Sequence, residues 1–167
     1  MMDTLFDKAL ARAPFLTVVA SVLILAAVFV SQYGFGLAPC QLCIWQRWAY
    51  AGAIAFGLLA FVTSNGLRRA FLCLTGLAFA AGCGIAAFHV GVEQHWWAGL
   101  ASCSGTDTPG SVEELRALLA GKKPVRCDEI AFQFLGLSMA GWNVVASFAL
   151  AVFTGMAVIR AASDRYA

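Results

Sequence analysis

Charged residues are spaced along this chain so that four long stretches hold none. Asp, Glu, Lys and Arg are absent from Ala13 to Gln46, from Trp48 to Leu67, from Ala70 to Val92 and from Ile130 to Ile159. Each stretch can supply the roughly 20 apolar residues that cross a bilayer as a helix. Strands are not expected, because a lone strand in lipid leaves backbone groups unpaired. Pro39 and the Gly34/Gly36 pair interrupt the first stretch, so its spanning part is expected over Phe15 to Gln32. The predicted spans are 15–32, 46–64, 70–89 and 142–160, with loops at 33–45 and 90–141, all in one domain. The fold class expected is an all-α membrane protein, a four-helix transmembrane bundle.

Composition agrees with this pattern. The chain is 167 residues long, 61% hydrophobic and 12% charged. A soluble domain of this size leaves too much surface in water to hide so much apolar area. A net charge of +2 gives no case for nucleic acid, and no nucleic-acid partner is expected. The first span is expected to stay in the mature protein, since it is too long for a signal-peptide core and no clean cleavage site follows it.

The distribution of cations gives the orientation. Lys8, Arg12, Arg68, Arg69, Arg160 and Arg165 lie on short segments at one side. Arg116, Lys122, Lys123 and Arg126 are spread over one long loop among acids on the other. The dense side is predicted to be cytoplasmic, with both termini inside. Cys40, Cys43, Cys103 and Cys127 then lie outside, which in a bacterium is the periplasm, where disulfides persist.

The long outer loop has order of its own. Ser111 to Glu114 reads as a capping box. Val112, Leu115, Leu118 and Leu119 share one helical face, and Gly121 and Pro124 stop the helix. A short amphipathic helix on the membrane surface is predicted. Trp45, Trp48, Trp96, Trp97 and Trp142 flank the spans as an interfacial belt. Gly76, Ala80 and Gly84 form a small-residue stripe that predicts close helix packing.

The chemistry resides in the cysteines. Cys40-Gln-Leu-Cys43 is a CxxC at the start of the second span. A helix N-terminus stabilises a thiolate, the reactive form of cysteine. Redox chemistry is favoured over zinc, because no second CxxC completes a ligand set, and no metal is expected. Arg47 sits one helical turn beyond Cys43 and is the one basic residue between Arg12 and Arg68. It either snorkels to lipid phosphate or stabilises negative charge on the Cys43 thiolate or on an electron acceptor bound beside it. Cys103 and Cys127 flank the amphipathic helix. A bond between them would be either a structural staple or an exposed, exchangeable disulfide. Cys73 and Cys83, ten residues apart inside the third span, are too distant to bond each other and are read as packing. His89, at the end of that span, is a candidate for the acceptor site, with His95 the alternative.

The run from Pro39 to Arg47, PCQLCIWQR, resembles the PCxLCxxxR signature of the disulfide bond formation protein B (DsbB) family. The run from Cys127 to Trp142, CDEIAFQFLGLSMAGW, resembles that family's segment after its last essential cysteine. The resemblance implies a multi-pass protein of the bacterial inner membrane, a protein-disulfide oxidoreductase with quinone as electron acceptor. It implies that Cys103 is attacked by a reduced, soluble, periplasmic DsbA-like oxidase and that Cys127 is its pair. Electrons would then pass to Cys40–Cys43, and from Cys43 to quinone, with Arg47 and His89 at the quinone site. Ubiquinone is the expected acceptor and menaquinone the alternative. Membrane lipid is the other partner, and a monomer is expected. The rival readings are a related four-helix quinone or epoxide reductase, a non-catalytic four-span protein with two structural disulfides and, third, a metal-binding protein.

Overall fold

The computed structural model describes residues 8, 10–100, 111–120 and 125–163. Helix α1 spans Ala13–Phe35, α2 Gln41–Val62 and α3 Asn65–Glu93. A short α4 follows at Val112–Leu119, then strands β1 (Gln133–Phe134) and β2 (Leu137–Ser138), then α5 at Met139–Ser163. Pro14 sits at the start of α1, where its missing N–H costs nothing. Gly36 ends the helix in the left-handed region at φ 71°.

Among the described residues three helices, α1, α3 and α5, are long and apolar enough to cross a membrane. Helix α2 has 22 residues, about 33 Å of rise, but Gln46 and Arg47 in its first turns reduce its apolar character. The four long helices pack together: α3 lies against both α2 and α5, and α1 against α2. Two of the cations expected at one end do meet there. Arg68 and Arg160 line one cavity of about 660 Å³ with Leu10 and Leu72, and Arg68 Nη2 donates to the Ala11 carbonyl at 2.7 Å.

The burial pattern reverses that of a soluble bundle. Thr17, Ser21, Thr75, Ser147 and Thr154 are buried, while Leu23, Phe61, Leu77 and Phe148 are exposed. Lipid is as apolar as leucine, so large apolar side chains gain nothing by turning inward, and small residues let helices approach. The buried hydroxyls of Thr17 and Ser21 donate one turn back to the carbonyls of Ala13 (2.9 Å) and Thr17 (2.8 Å), and so stay satisfied away from water.

Two expectations are corrected. The stripe Gly76–Ala80–Gly84 is not the packing face of α3, because Ala80 and Gly84 are exposed. The buried face is Leu72, Thr75, Phe79, Gly82, Ala86, His89 and Glu93, alternating steps of three and four residues. The tight approaches fall at Gly82, where a Cβ would lie 3.1 Å from that of Ala49, and at Gly57, where it would lie 2.7 Å from a Val18 methyl. The chain is also not purely helical. Gln133–Phe134 pairs with Leu137–Ser138 across a two-residue turn, with Leu135 and Gly136 at φ 51° and 79°. Positive φ at both turn positions is the twist a tight hairpin needs. Helix α4 lies where the amphipathic helix was predicted, with Val112, Leu115 and Leu119 exposed. Its proposed stop at Gly121 and Pro124 lies outside the described residues.

Candidate functional site

Cys40 is the N-cap of α2, in extended backbone just before the helix. That position turns its sulfur toward the first free N–H groups, and Cys40 Sγ accepts from the Cys43 N–H at 3.3 Å. The two sulfurs are unbonded, with Cys40 Sγ and Cys43 Sγ 3.1 Å apart. On the other side His89 Nε2 lies 3.6 Å from Cys40 Sγ. The Cys40 thiol is pulled down to about 4. Its hydrogen bond with Cys43 is the largest cause, burial opposes it, and His89 and the Cys43 N–H add to it. The alkylation rate of reduced Cys40 is therefore expected to stay flat from pH 8 to about 5 and to fall only near pH 4. An ordinary thiol would lose about tenfold per unit below its pKa of ~8.5. Iodoacetamide labelling followed by mass spectrometry checks this, and a tenfold fall per unit from pH 8 would mark Cys40 as an ordinary thiol. The sign carries to stability. A depressed thiol pKa favours the folded, reduced protein above the usual thiol range, and that contribution is lost as pH falls through about 4.

Cys127 is disulfide-bonded. It is fully buried, in one cluster with Cys40, Leu42 and Val92, and Cys43 packs against that cluster. This corrects the expectation of a loose, exposed cysteine. The residues after Cys127 run into the hairpin and α5, which dock beside α3 and carry Cys127 under the start of α2. Its neighbours form a surface clasp: Arg126 donates to both oxygens of Asp128, at 2.9 and 2.6 Å, which holds the Asp128 carboxyl below its usual range. Cys103 lies outside the described residues.

Arg47 is half-buried and turns toward α1. Its Nη1 donates to Gln32 Oε1 at 2.5 Å, and its guanidinium carbon lies 5.1 Å over the Phe29 ring. Its Nε is buried and has no hydrogen-bond partner among the described residues. His89 is buried, whereas His95 is exposed and lines a separate cavity with Trp96, Trp97 and Asp128. Of the two candidates, His89 is the one at the CxxC. Cys73 is exposed, and Cys83 Sγ meets the Val144 carbonyl at 3.7 Å, both away from the pair.

Sequence reasoning missed five residues here. Gln46 meets His89 Nδ1 at 3.0 Å, Asn143 donates to Gln46, and Tyr50 donates to Asn143 at 2.5 Å. Glu93 lies 3.9 Å from His89 and accepts from Ser138 at 2.5 Å. The available signal was their polarity inside otherwise apolar helices, at positions repeating with the buried face.

Cys40, Cys43 and His89 put their donor atoms within 4.8 Å of one another. That is one ligand short of a structural zinc site, and the nearby Cys127 is occupied in its disulfide.

Apolar helices with polar seams, carrying a buried CxxC packed against a disulfide, define a helical membrane protein with a thiol–disulfide centre. The family model "Disulfide bond formation protein DsbB" matches residues 11–157. A Disulfide bond formation protein B of Xanthomonas campestris pv. campestris (strain 8004) is 37% identical over 138 residues, 78% of this chain and 79% of its own length. Its counterpart in Xanthomonas oryzae pv. oryzae (strain MAFF 311018) is 34% identical over the same shares. That of Xylella fastidiosa (strain 9a5c) is 36% identical over 137 residues, 77% and 78%. No solved structure matches. The chain belongs to the DsbB family of disulfide bond formation proteins.

Proposed function

We propose that this protein is a thiol:quinone oxidoreductase that reoxidises a soluble DsbA-like dithiol oxidase in the periplasm. In this reading all four long helices span the inner membrane, both termini are cytoplasmic, and the cysteines face the periplasm. The observation that supports it is the shared buried cluster of the disulfide-bonded Cys127 and the free Cys40, because a thiolate and a disulfide can exchange only where their sulfurs come together.

The exchange balances as follows. A thiolate of the reduced partner attacks Cys103, and the Cys103–Cys127 bond breaks. With the Cys40–Cys43 pair in its oxidised form, the freed Cys127 thiolate attacks Cys40 Sγ, the Cys40–Cys43 bond breaks, and Cys40–Cys127 forms with Cys43 released as a thiolate. The partner's second thiol resolves its bond to Cys103, and Cys103 resolves Cys40–Cys127. The net result is an oxidised partner and a reduced Cys40–Cys43 pair. The low pKa of Cys40 favours this, since a stabilised thiolate makes the corresponding disulfide more oxidising.

The Arg47 region suits a quinone. The unpartnered Nε and the Phe29 ring offer a donor and an apolar wall, and Arg47 acts on the Cys43 thiol electrostatically. A bound quinone accepts two electrons and two protons and becomes the quinol. Ubiquinone is the acceptor to try first and menaquinone second. Arg47 would anchor the acceptor's oxygen, and Cys43 is the thiol placed on that side of the pair.

The purified protein, mixed with a reduced thioredoxin-fold dithiol partner and ubiquinone, is expected to bleach the quinone absorbance and oxidise the partner in equal amounts. The Cys103→Ala variant is expected to stop partner oxidation. Unchanged turnover in that variant, or no quinone reduction by the wild type with either quinone, would sink this reading. A non-catalytic protein with structural disulfides predicts instead that its cysteines stay oxidised beside the reduced partner.

A further inference from the structure

Buried polar groups run in a line from the middle of the bundle to the Cys40 sulfur. Tyr50 Oη donates to Asn143 Oδ1, and Asn143 Nδ2 donates to Gln46 Oε1. Gln46 Oε1 is thereby occupied, so the amide N–H is the end of Gln46 left for His89. It meets Nδ1 at 3.0 Å, which makes Nδ1 the acceptor. The other ring nitrogen gives the same answer. Nε2 faces Cys40 Sγ at 3.6 Å and Glu93 Oε1 at 3.9 Å, both acceptors when ionised.

We propose that Gln46 and Asn143 are positioning residues that hold His89 as its Nε2–H tautomer, so that the ring donates to the Cys40 sulfur and to its surroundings. The opposite tautomer would aim a lone pair at a thiolate and a carboxylate, and would leave the Gln46 N–H facing another N–H. Three helices each contribute one member, since Gln46 is on α2, His89 on α3 and Asn143 on α5. The charged or titratable groups around the ring are Cys40 and Cys43 from α2 and Glu93 from α3. Arg47 acts on Cys43 from one turn deeper, and α5 presents the neutral Asn143. The inference rests on reading Cys40–Cys43 as the redox pair, but its first readout does not require turnover.

The chain has two histidines, so ¹⁵N-histidine labelling of the reduced protein in detergent yields two imidazoles, and His95→Gln assigns them. His89 is expected to show a protonated Nε2 and a bare Nδ1 at the alkaline end of its titration, where the ring is neutral. A neutral ring protonated at Nδ1 overturns the proposal. The second measurement is the pH dependence of Cys40 alkylation, followed down to about pH 3, in Gln46→Leu and Asn143→Leu. Loss of the ring's donor role is expected to raise the Cys40 midpoint by about one unit, which slows labelling about tenfold below the midpoint in folded protein. Folded variants that label at the wild-type rate also overturn it. If neither variant folds, the wild-type tautomer decides. Loss of quinone reduction with the Nε2–H tautomer intact would count against the proposed function alone.

Discussion

Cys43→Ser is expected to abolish quinone reduction while leaving the first exchange with the partner intact. A serine hydroxyl is not ionised near neutral pH and cannot carry a disulfide, so the pair at the start of α2 can no longer be oxidised. Cys40 remains in its buried cluster with Cys127. The Cys40 thiolate can attack Cys127 Sγ and displace its present partner as a thiolate, so the variant should accumulate a Cys40–Cys127 bond. Non-reducing peptide mapping reads the bond, and absorbance reads the quinone. Residual quinone turnover would mean that Cys43 is not the donor. Absence of the Cys40–Cys127 species would mean that the two pairs do not exchange through these sulfurs.

The second large effect is expected at Arg47. Arg47→Ala should raise the apparent KM for quinone about tenfold or more. An acceptor oxygen left without its charged donor in a buried place loses on the order of 1–3 kcal/mol. The observation behind this is the partnerless, buried Nε beside the Phe29 ring. Arg47→Lys should recover only part of the loss, because an ammonium keeps the charge and lacks the fork. A change in folding yield with an unaltered KM would instead make Arg47 a lipid-facing anchor. Gln32 belongs to the same test, since it holds one arm of the guanidinium at 2.5 Å.

Much of this was legible in the residues. Charge-free stretches marked the long helices, and the CxxC with Arg47 one turn on marked the candidate site. What was not legible depends on faces brought together from distant segments. Nothing near Gln46 in the chain announces Asn143, which is 97 positions away. The stripe Gly76–Ala80–Gly84 was read at a spacing of four, but the helix buries the face that repeats at three and four, and that choice is made by its neighbours. The hairpin before α5 was hidden in an apolar run, where Leu135-Gly136 was its only turn signal. The burial of Cys127 was missed for a related reason. A cysteine in a long polar loop looks exposed until the segment after it is seen to dock.

That burial has a consequence for leakage. Cys40 is 5% exposed and Cys127 0%, so the low-pKa sulfur lies out of solvent in the same buried cluster as Cys127. In the proposed exchange, small thiols in the surrounding medium cannot reach the Cys40 sulfur directly unless the segments of that cluster part. The arrangement works as insulation on a conductor, in which current enters at one terminal and bystander reductants find no bare metal along the way. A mutation that loosened the Cys127 segment would then not slow the protein so much as short-circuit it, draining oxidising power to any thiol that diffused past.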